Sequence, residues 1–260
     1  MAGTYEDFKR NFLRLSGIDL NSYKESQMKR RIDNFYTRRK IADYDQFFST
    51  LSKDVEMQKE FTSYLTINVS EFYRNPPQWK TVENEVYPTL LKQFGNRLKI
   101  WSAACSTGDE PYTLAMLLAE HIPLNQVDIL ATDLDKEILA KAKEGRYLEK
   151  SVAGLPKSYR DKYIVPDGKG YVRVSDDIKR RITFKNHDLL KDPYPKGMHL
   201  IVCRNVMIYF TEEAKDQIYK KFAGSLVDNG LFFVGSTEQI IGATKYGFQS
   251  KQSFFYEKTK

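Results

Sequence analysis

The fold of this chain is decided by the stretch RLKIWSAACSTGDEPYTLAMLL, residues 97–118. Its apolar run at 98–101 predicts a buried parallel strand, and a turn of small residues follows at 103–108. Asp109 and Glu110 precede Pro111, a pattern that predicts the first turn of a helix. Doubly wound α/β proteins bind cofactors where a strand, a tight turn and a helix N-terminus meet. The stretch therefore predicts an α/β fold with a ligand site at this turn.

The composition of the turn argues against a phosphate ligand. It has a single glycine, Gly108, whereas a dinucleotide fingerprint has three and a P-loop ends in Gly-Lys-Ser/Thr. The carboxylates of Asp109 and Glu110 would also repel a phosphate. A ligand with a cationic centre and a ribose suits them better, and S-adenosylmethionine is the common metabolite of that kind. The alternative is a turn with a purely structural role.

Length, charge and cysteine content restrict the class of protein. A chain of 260 residues forms one large domain or two modest ones with ample core. Cys105 and Cys203 are too few for a disulfide framework or a structural zinc site, and no metal site is predicted. The first residues do not resemble a signal peptide, and no run of eighteen apolar residues occurs. We expect a soluble cytoplasmic protein whose net charge of +7 favours an anionic partner.

Residues 1–75 predict an all-helical domain with a basic helix in its middle. Apolar side chains recur at helical spacing around Phe8 and again around Phe47. Between these stripes, residues 24–40 hold seven basic residues against two acids, a local charge of +5. The basic side chains that project from this helix are Lys29, Arg30, Arg38 and Lys40. They form either a solvated face or, since arginine outnumbers lysine in the segment, a surface for carboxylates or phosphates.

Two further segments carry candidate ligand residues. In FTSYLTINVSEFYR, residues 61–74, Asn68, Ser70 and Arg74 are close enough to turn their polar groups towards one ligand. A linker or a helix end is the alternative. Asp133 ends a second apolar strand and lies 23 residues after Glu110, a spacing that suits one intervening helix. A carboxylate at that position accepts hydrogen bonds from two ribose hydroxyls, although Asp133 could instead cap the next helix, at 138–147.

The remainder continues the α/β alternation after one interruption. Short strand patterns at 163–165, 171–174 and 181–184 predict an antiparallel insertion at 154–186, because their spacings suit hairpins. The next buried strand, 200–203, ends at Arg204-Asn205. A helix from Thr211 to about residue 227, a strand at 231–235 and a strand pair at 248–256 complete the pattern.

Four motifs, taken in order, carry a specific resemblance. NVSEFYR at 68–74, ACSTGDEPYT at 104–113, ATDLD at 131–135 and CRNVMIYF at 203–210 resemble the chemotaxis receptor methyltransferases, the CheR family. The resemblance covers nearly the whole chain. It implies a class I S-adenosylmethionine-dependent methyltransferase fold, Rossmann-like with a seven-stranded sheet, over residues 76–260. It also implies an N-terminal helical receptor-recognition domain, residues 1–75, and methylation of glutamate side chains on membrane chemoreceptors.

The same resemblance assigns roles to individual residues. Asn68, Ser70 and Arg74 would reach the cofactor from the domain junction, and Glu110 and Asp133 would hold its amino and ribose ends. Asp188-Leu189 would flank the adenine, and Arg204-Asn205 would close the pocket below the methionine portion. Family members often have Asn-Leu in place of Asp188-Leu189. Those that grip a peptide tether at the receptor C-terminus have a longer, glycine-rich loop than PDGKG at 166–170, so we expect methylation without a tether.

The chemistry is consistent with the residues present. A glutamate side chain has a pKa of about 4.3, so the substrate is already a nucleophile at neutral pH and needs no general base. Charge is annihilated as carboxylate and sulfonium react, and the enzyme's task is mainly alignment. We expect Arg74 and Tyr209 to orient the substrate carboxylate, through an ion pair and a hydroxyl hydrogen bond. For Tyr209, simple packing within MIYF is the alternative.

Two other classes of function compete with the receptor methyltransferase. The basic helix would also suit an RNA methyltransferase, but an Asn/Asp-Pro-Pro-Tyr motif does not follow the fourth strand, which ends in CRNVMIYF. The second is a catalytically silent binding module of the same fold, against which the joint presence of Asn68, Arg74, Glu110, Asp133 and Tyr209 argues. The predicted partner is therefore the cytoplasmic helical bundle of methyl-accepting chemotaxis receptors, with S-adenosyl-L-methionine as cofactor, S-adenosyl-L-homocysteine as product, and neither nucleic acid nor membrane insertion.

Overall fold

In the computed structural model, which describes residues 3–259, the chain forms two compact units. The first contains the chain as far as Ile67 together with Val206–Gln217, and the second contains Asn68–Asn205 and the chain from Ile218 onward. Residues 68–75, which the sequence assigns to the helical domain, belong by their contacts to the second unit.

The first unit is built of helices with polar caps and an aromatic core. Its helices are α1 (Tyr5–Ser16), α2 (Glu25–Arg38), α3 (Tyr44–Lys53) and α4 (Val55–Leu65). Thr4, Asp43 and Asp54 accept hydrogen bonds from backbone N–H groups at the starts of α1, α3 and α4, which satisfies donors that a helix leaves unpaired. The rings at its centre are fully buried: Phe12, Phe35, Phe47 and Phe61. The helical periodicity of the sequence is thus confirmed.

A later segment, 206–217, completes this unit. Phe210 forms an isolated antiparallel bridge with Tyr23, and their ring centroids are 4.9 Å apart. The N–H of Lys24 donates to the carbonyl of Tyr209 at 2.9 Å. The carbonyl of Ser22 accepts from the N–H of Thr211 at 3.0 Å.

The second unit contains a seven-stranded mixed sheet. Its strands are β1 (Ile100–Ala103), β2 (Ile129–Asp133), β6 (Ile182–Asn186), β7 (Met198–Cys203), β8 (Leu226–Val234), β9 (Phe248–Gln252) and β10 (Phe255–Lys258). Their order is β6-β2-β1-β7-β8-β10-β9, parallel from β6 to β8, with β10 antiparallel to β8 and β9. The order reverses direction between β1 and β7, and ligands bind at the carboxyl ends of strands beside such a switch point.

The remaining helices either precede β1 in the chain or lie between later strands. They are α5 (Pro76–Thr81), α6 (Tyr87–Phe94), α7 (Asp109–Leu118), α8 (Lys136–Glu144), α9 (Lys157–Tyr163), α10 (Asp176–Lys179) and α11 (Glu212–Ser225). One π-helical turn, Val82–Val86, joins α5 to α6. Helix α7 follows β1 as predicted, and nine of its ten residues are buried, which leaves Glu110 as the member that retains exposure. α8 ends at Glu144, before the predicted end at 147, because Gly145 adopts a left-handed conformation.

The antiparallel insertion is present, but its strands differ from the prediction. The small sheet has the order β3-β5-β4, from β3 (Arg146–Leu148), β4 (Ile164–Pro166) and β5 (Tyr171–Val174). The predicted strand at 181–184 is instead part of β6, which pairs in parallel with β2 over Ile182–Asn186. Assigning 181–184 to the insertion was wrong, since the short helix α10 returns the chain to the main sheet.

None of the helices within residues 3–259 is long and apolar enough to cross a bilayer.

Candidate functional site

The turn after β1 has an unusual backbone. Ala104 and Ser106 adopt left-handed conformations with φ of 60° and 50°, as does Gly108 with φ of 92°. The left-handed region disfavours residues with a Cβ atom, so two of these three positions are strained. The Cys105 N–H donates to the Thr132 carbonyl at 2.9 Å, which fixes the turn to the end of β2. The strain therefore lies at the carboxyl edge of the sheet, beside the switch point.

Asp133, the predicted ribose ligand, is buried at this edge. Its carboxylate accepts the N–H of Ser106 at 2.8 Å and the N–H of Asp135 at 3.0 Å. Burial raises the pKa of Asp133, and the backbone donors oppose that shift by stabilising the charged form. The carboxylate is thus held in place by backbone donors at the carboxyl edge of the sheet.

The N-cap of α8 is Asp135, not Asp133, which was the alternative role considered for Asp133. Its Oδ1 accepts the N–H groups of Glu137 and Ile138 at the start of α8, at 2.9 and 3.2 Å. Its Oδ2 accepts from the side-chain amide of Asn68 at 2.8 Å. Asp133 is therefore not the cap, and Asn68, one of the predicted cofactor ligands, is anchored to the end of β2.

Asp109 connects Ser70 to the same turn. This buried carboxylate accepts hydrogen bonds from the hydroxyls of Thr107 and Ser70. Burial raises the pKa of Asp109. The Tyr147 hydroxyl donates to the Thr107 carbonyl at 2.6 Å and braces the turn from its other side. Ser70 and the turn after β1 are thereby joined, as the resemblance requires of residues that contact one cofactor.

The segment that carries Arg74 is held through its own backbone. Tyr73 and Asn75, on either side of Arg74, are left-handed with φ of 57° and 62°. The Arg74 carbonyl accepts from Trp79 Nε1 at 2.8 Å and from a guanidinium nitrogen of Arg204 at 2.9 Å. These two bonds fix the backbone of a half-buried arginine whose side chain lines a small cleft.

Arg204 and Glu110 form the charged floor of that cleft. Their nearest charged atoms are 3.6 Å apart, and their side chains are 3% and 13% exposed. Glu110 also accepts from the Ser102 hydroxyl at 2.8 Å. Burial raises the pKa of Glu110 and lowers that of Arg204, against the attraction between the two groups. Glu110 is thus a buried carboxylate at the cleft, held in place by Ser102 and Arg204.

The remaining predicted ligands of the second unit also lie at the carboxyl ends of strands. Asn205 follows β7 with a φ of 61° and lines the same cleft. Asp188 and Leu189 follow β6, and the preceding His187 N–H donates to the Asp133 carbonyl at 3.0 Å. Leu189 is buried, and its carbonyl accepts from the Tyr194 hydroxyl at 2.8 Å.

The other predicted residues belong to the first unit. Tyr209 lies in a single 3₁₀ turn, Met207–Tyr209, and its carbonyl is bonded to Lys24. On and just after α2, Lys29, Arg30, Arg38 and Lys40 are exposed. By contrast, Arg31 donates to the Tyr64 carbonyl and Arg39 pairs with Glu60, so two of the seven basic residues are used within the unit.

Three acids of this site anchor predicted ligand residues, a role that sequence reasoning gave to none of them: Asp109, Asp135 and Glu238. All three are buried, and each is bonded to a predicted ligand or to its backbone. Asp109 and Asp135 lie inside the motifs ACSTGDEPYT and ATDLD, close to the predicted ligands Glu110 and Asp133. That proximity was the signal that could have identified them. Glu238 stood outside every motif and had none.

The residues fit S-adenosylmethionine. In the part of the chain that the structure describes, Ser106 Oγ is buried without a hydrogen-bond partner, and Ser106 lines the cleft. Glu110 is a carboxylate suited to an ammonium group, and Asp133 is one suited to a ribose diol. Within residues 3–259, histidine, cysteine and acidic side chains do not cluster in threes as a metal ion would need.

A parallel sheet with an antiparallel β10 and an acid-lined switch point defines a class I S-adenosylmethionine-dependent methyltransferase. Two family models divide the chain: the CheR methyltransferase all-alpha domain matches residues 3–66, and the CheR methyltransferase SAM binding domain matches residues 68–255. The chain belongs to the CheR methyltransferase family.

Curated relatives agree over nearly the full length. A chemotaxis protein methyltransferase of Listeria monocytogenes is 45% identical over 98% of this chain and 97% of its own. One of Listeria innocua is 44% identical with the same coverage. Among solved structures, PKMT2 from Rickettsia typhi is similar over 64% of this chain and 26% of that chain, with 21% identity and a TM-score of 0.37. The two family models and the Listeria relatives confirm the resemblance given by the four sequence motifs.

Proposed function

We propose that this enzyme esterifies glutamate side chains of chemotaxis receptors with the methyl group of S-adenosylmethionine. The observation that carries the proposal is the half-buried Arg74 at the cleft, whose backbone is fixed by Trp79 and Arg204. A guanidinium carried on a fixed backbone suits the alignment of a carboxylate substrate. The neighbouring thiol does not compete as a nucleophile, because burial raises the pKa of Cys105 well above its usual range.

The proposed chemistry leaves the alignment of the reacting groups to the chain's own residues. Bound S-adenosylmethionine supplies an electrophilic methyl group on a sulfonium centre. A glutamate with a pKa of about 4.3 is ionised at neutral pH, so no residue has to remove a proton. Arg74, with Tyr209, would hold the substrate carboxylate in line. Alignment of this kind contributes roughly 7–11 kcal/mol to lowering a barrier.

Each pocket residue has a proposed share in holding the cofactor. Glu110 would meet the ammonium group and Asp133 the ribose, with Asn68 and Ser70 beside them. Asp188 and Leu189 would flank the adenine, and Arg204-Asn205 would close the methionine end. The support is that the buried acids Asp109 and Asp135 join Ser70 and Asn68 to the turns after β1 and β2.

The first unit is the proposed receptor-recognition domain. Arg30 and Arg38 are exposed on α2, and neither forms an ion pair within residues 3–259. They suit the acidic surface of a helical bundle, as do Lys29 and Lys40. Exposed charge pairs are worth about 0–1 kcal/mol each, so several must act together. We propose that the enzyme acts in the cytoplasm and reaches receptor arrays through this surface.

The small sheet favours methylation without a receptor tether. The segment PDGKG forms a tight turn between β4 and β5, in which the Tyr171 N–H donates to the Gly168 carbonyl at 2.9 Å. So short a connection leaves little loop to wrap a peptide. Receptors with and without their last residues should then be methylated equally well.

A labelling experiment tests the reaction. The protein is incubated with methyl-labelled S-adenosylmethionine and receptor-containing membranes, and alkali-labile label is measured, since methyl esters hydrolyse in alkali. Label on glutamate is expected. Alkali-stable label would show a different acceptor atom and overturn the proposal.

A separate prediction concerns Tyr209. Tyr209→Phe should lower turnover in this assay while its affinity for the cofactor stays unchanged. Loss of both turnover and affinity would give Tyr209 a structural role.

A charge reversal tests the docking surface. Arg30→Glu combined with Arg38→Glu should raise the Michaelis constant for receptor and flatten its salt dependence, because screening acts over roughly 8–10 Å. Binding of S-adenosylhomocysteine should be unchanged. The matched control is Lys53→Glu, an exposed cation in the last turn of α3. Wild-type kinetics of the double variant at low salt would reduce the basic helix to a solvated face.

A further inference from the structure

Glu238 is a buried acid that the proposed chemistry does not use. It follows β8 and is 4% exposed. Its Oε2 accepts the N–H of Asn205 at 2.5 Å and the N–H of Gly235 at 2.9 Å. One carboxylate oxygen therefore joins the turn after β7 to the turn after β8. Hydrogen bonds from backbone N–H groups to a carboxylate are among the stronger ones in proteins.

The backbone conformation of the turn after β7 is not one that its residues strongly prefer. Asn205 is left-handed, with φ of 61°. Asparagine tolerates that region better than most residues but does not prefer it as glycine does. The hydrogen bond from its N–H to Glu238 is thus an external constraint that selects this conformation.

Gly235 shows how closely the two turns approach. A Cβ atom at this position would lie 2.5 Å from Glu238 Oε2 and 2.8 Å from the Asn205 backbone nitrogen. Both distances are far below van der Waals contact, so only glycine permits the approach. The absence of a side chain at 235 and the carboxylate at 238 belong to one arrangement.

This arrangement holds a turn that lines the cleft, since Arg204 and Asn205 are both lining residues. Arg204 precedes Asn205, and its guanidinium meets Glu110 at 3.6 Å and the Arg74 carbonyl at 2.9 Å. Glu238 also acts electrostatically on Glu110 and Arg204. A shift of the Asn205 backbone would therefore displace groups on the floor of the cleft.

We propose that Glu238 is a positioning residue of the methyltransferase, which locks the Arg204-Asn205 turn in its cofactor-binding conformation. It acts through the backbone of Asn205 and has no contact of its own with the cofactor. The inference rests on the proposed role of Arg204 and Asn205 in cofactor binding.

The test uses the full chain and two readouts. Backbone amide exchange of Asn205 and Gly235 is measured in the protein without ligand, and S-adenosylhomocysteine binding is measured by calorimetry. Glu238→Ala should expose both amides to exchange and weaken binding by about tenfold or more. Glu238→Gln retains one acceptor oxygen and should fall between Glu238→Ala and wild type. The control Glu85→Gln removes an exposed carboxylate of the same unit and should change neither readout.

The design separates positioning from stability. A variant that is only partly folded lowers the binding stoichiometry but leaves the dissociation constant of the folded fraction unchanged. Should Glu238→Ala not fold, Gly235→Ala displaces the carboxylate sterically and should give the same two effects. Wild-type affinity despite rapid amide exchange would overturn the inference, as would amides that remain protected.

Asn205→Gly distinguishes this inference from the role on which it rests. Glycine keeps the left-handed backbone and removes only the side chain, so weaker binding is expected. Unchanged binding would remove the proposed contact of Asn205, and the inference with it. Weaker binding of Asn205→Gly beside unchanged binding of Glu238→Ala would overturn the inference alone.

Discussion

The core of the helical unit and the carboxyl edge of the sheet are both buried, but they differ in what they bury. The helical core consists of phenylalanine rings, with Phe47 in contact with the rings of Phe8, Phe35 and Phe61 at centroid distances of 4.9–5.7 Å. The carboxyl edge buries carboxylates instead, among them Asp109, Asp133, Asp135 and Glu238.

The difference separates stability from function. Burial of aromatic surface is favourable and nearly independent of direction, so the helical core stabilises whatever arrangement fills it. A buried carboxylate is costly unless donors surround it, so each acid fixes the position of its donors. The donors at this edge are backbone N–H groups and side chains of the loops that carry the proposed ligands. The edge therefore sacrifices stability for a defined site.

The largest expected effect is on stability, in the helical core. Phe47→Ala removes a fully buried ring and should lower the free energy of unfolding by about 3–5 kcal/mol, measured by denaturant titration. The affinity of the remaining folded protein for S-adenosylhomocysteine should stay near wild type. Phe48→Ala, at a half-buried neighbour, is the matched control and should cost less. If Phe47→Ala lowered the binding free energy as much as the free energy of unfolding, the helical core and the carboxyl edge would not differ in the way described.

An intermediate effect, of the opposite kind, is expected at the edge. Asp133→Ala should weaken S-adenosylhomocysteine binding by about 1–3 kcal/mol, because a charged acceptor is lost and the Ser106 N–H is left unpaired. Calorimetry measures this change. Asp128→Ala removes an exposed acid just before the same strand and should bind as wild type. Unchanged affinity of the Asp133 variant would remove that residue from the site.

The same contrast explains what the sequence could predict. Regular burial gives a periodic pattern of apolar residues along the sequence. That pattern made it possible to predict the helices around Phe8 and Phe47, and the strand and helix on either side of the turn at 103–108. The bonds of the edge join residues that are far apart in sequence, such as Asn68 and Asp135, and leave no local pattern. The left-handed backbone of Ala104 and Ser106 had no glycine to signal it.

The misassigned strand has a related cause. A gap of a few residues between 174 and 182 suits a hairpin, and the four-residue helix α10 within it has no detectable period. Pairing of β6 with β2 is decided by tertiary contacts, since Ile182 lies opposite Ile129 in the parallel register. Likewise, the sequence predicts a helix as far as residue 147. Gly145 instead ends α8, and Arg146–Leu148 forms strand β3.

The smallest expected effect concerns two tyrosines of the helical core that differ in one hydrogen bond. The Tyr44 hydroxyl donates to Asp33, whereas the Tyr5 hydroxyl is buried without a partner among residues 3–259. At neutral pH, Tyr44→Phe should cost about 1 kcal/mol of unfolding free energy, since Asp33 loses a donor. Tyr5→Phe should be neutral or slightly stabilising, because it removes a desolvated polar group that nothing compensates.

Alkaline pH sharpens this last comparison. Burial, with the nearby carboxylate of Glu25, raises the pKa of Tyr5 to about 12. The unfolded value is about 10, so the stability contributed by this shift is complete below pH 10 and is lost as the pH rises towards 12. Tyr5→Phe should therefore lose less unfolding free energy than wild type between pH 9 and pH 11, as followed by urea titration at each pH. Parallel pH profiles for the two proteins would mean that the Tyr5 hydroxyl reaches solvent, and that this part of the aromatic core is less dry than the edge with which it is compared.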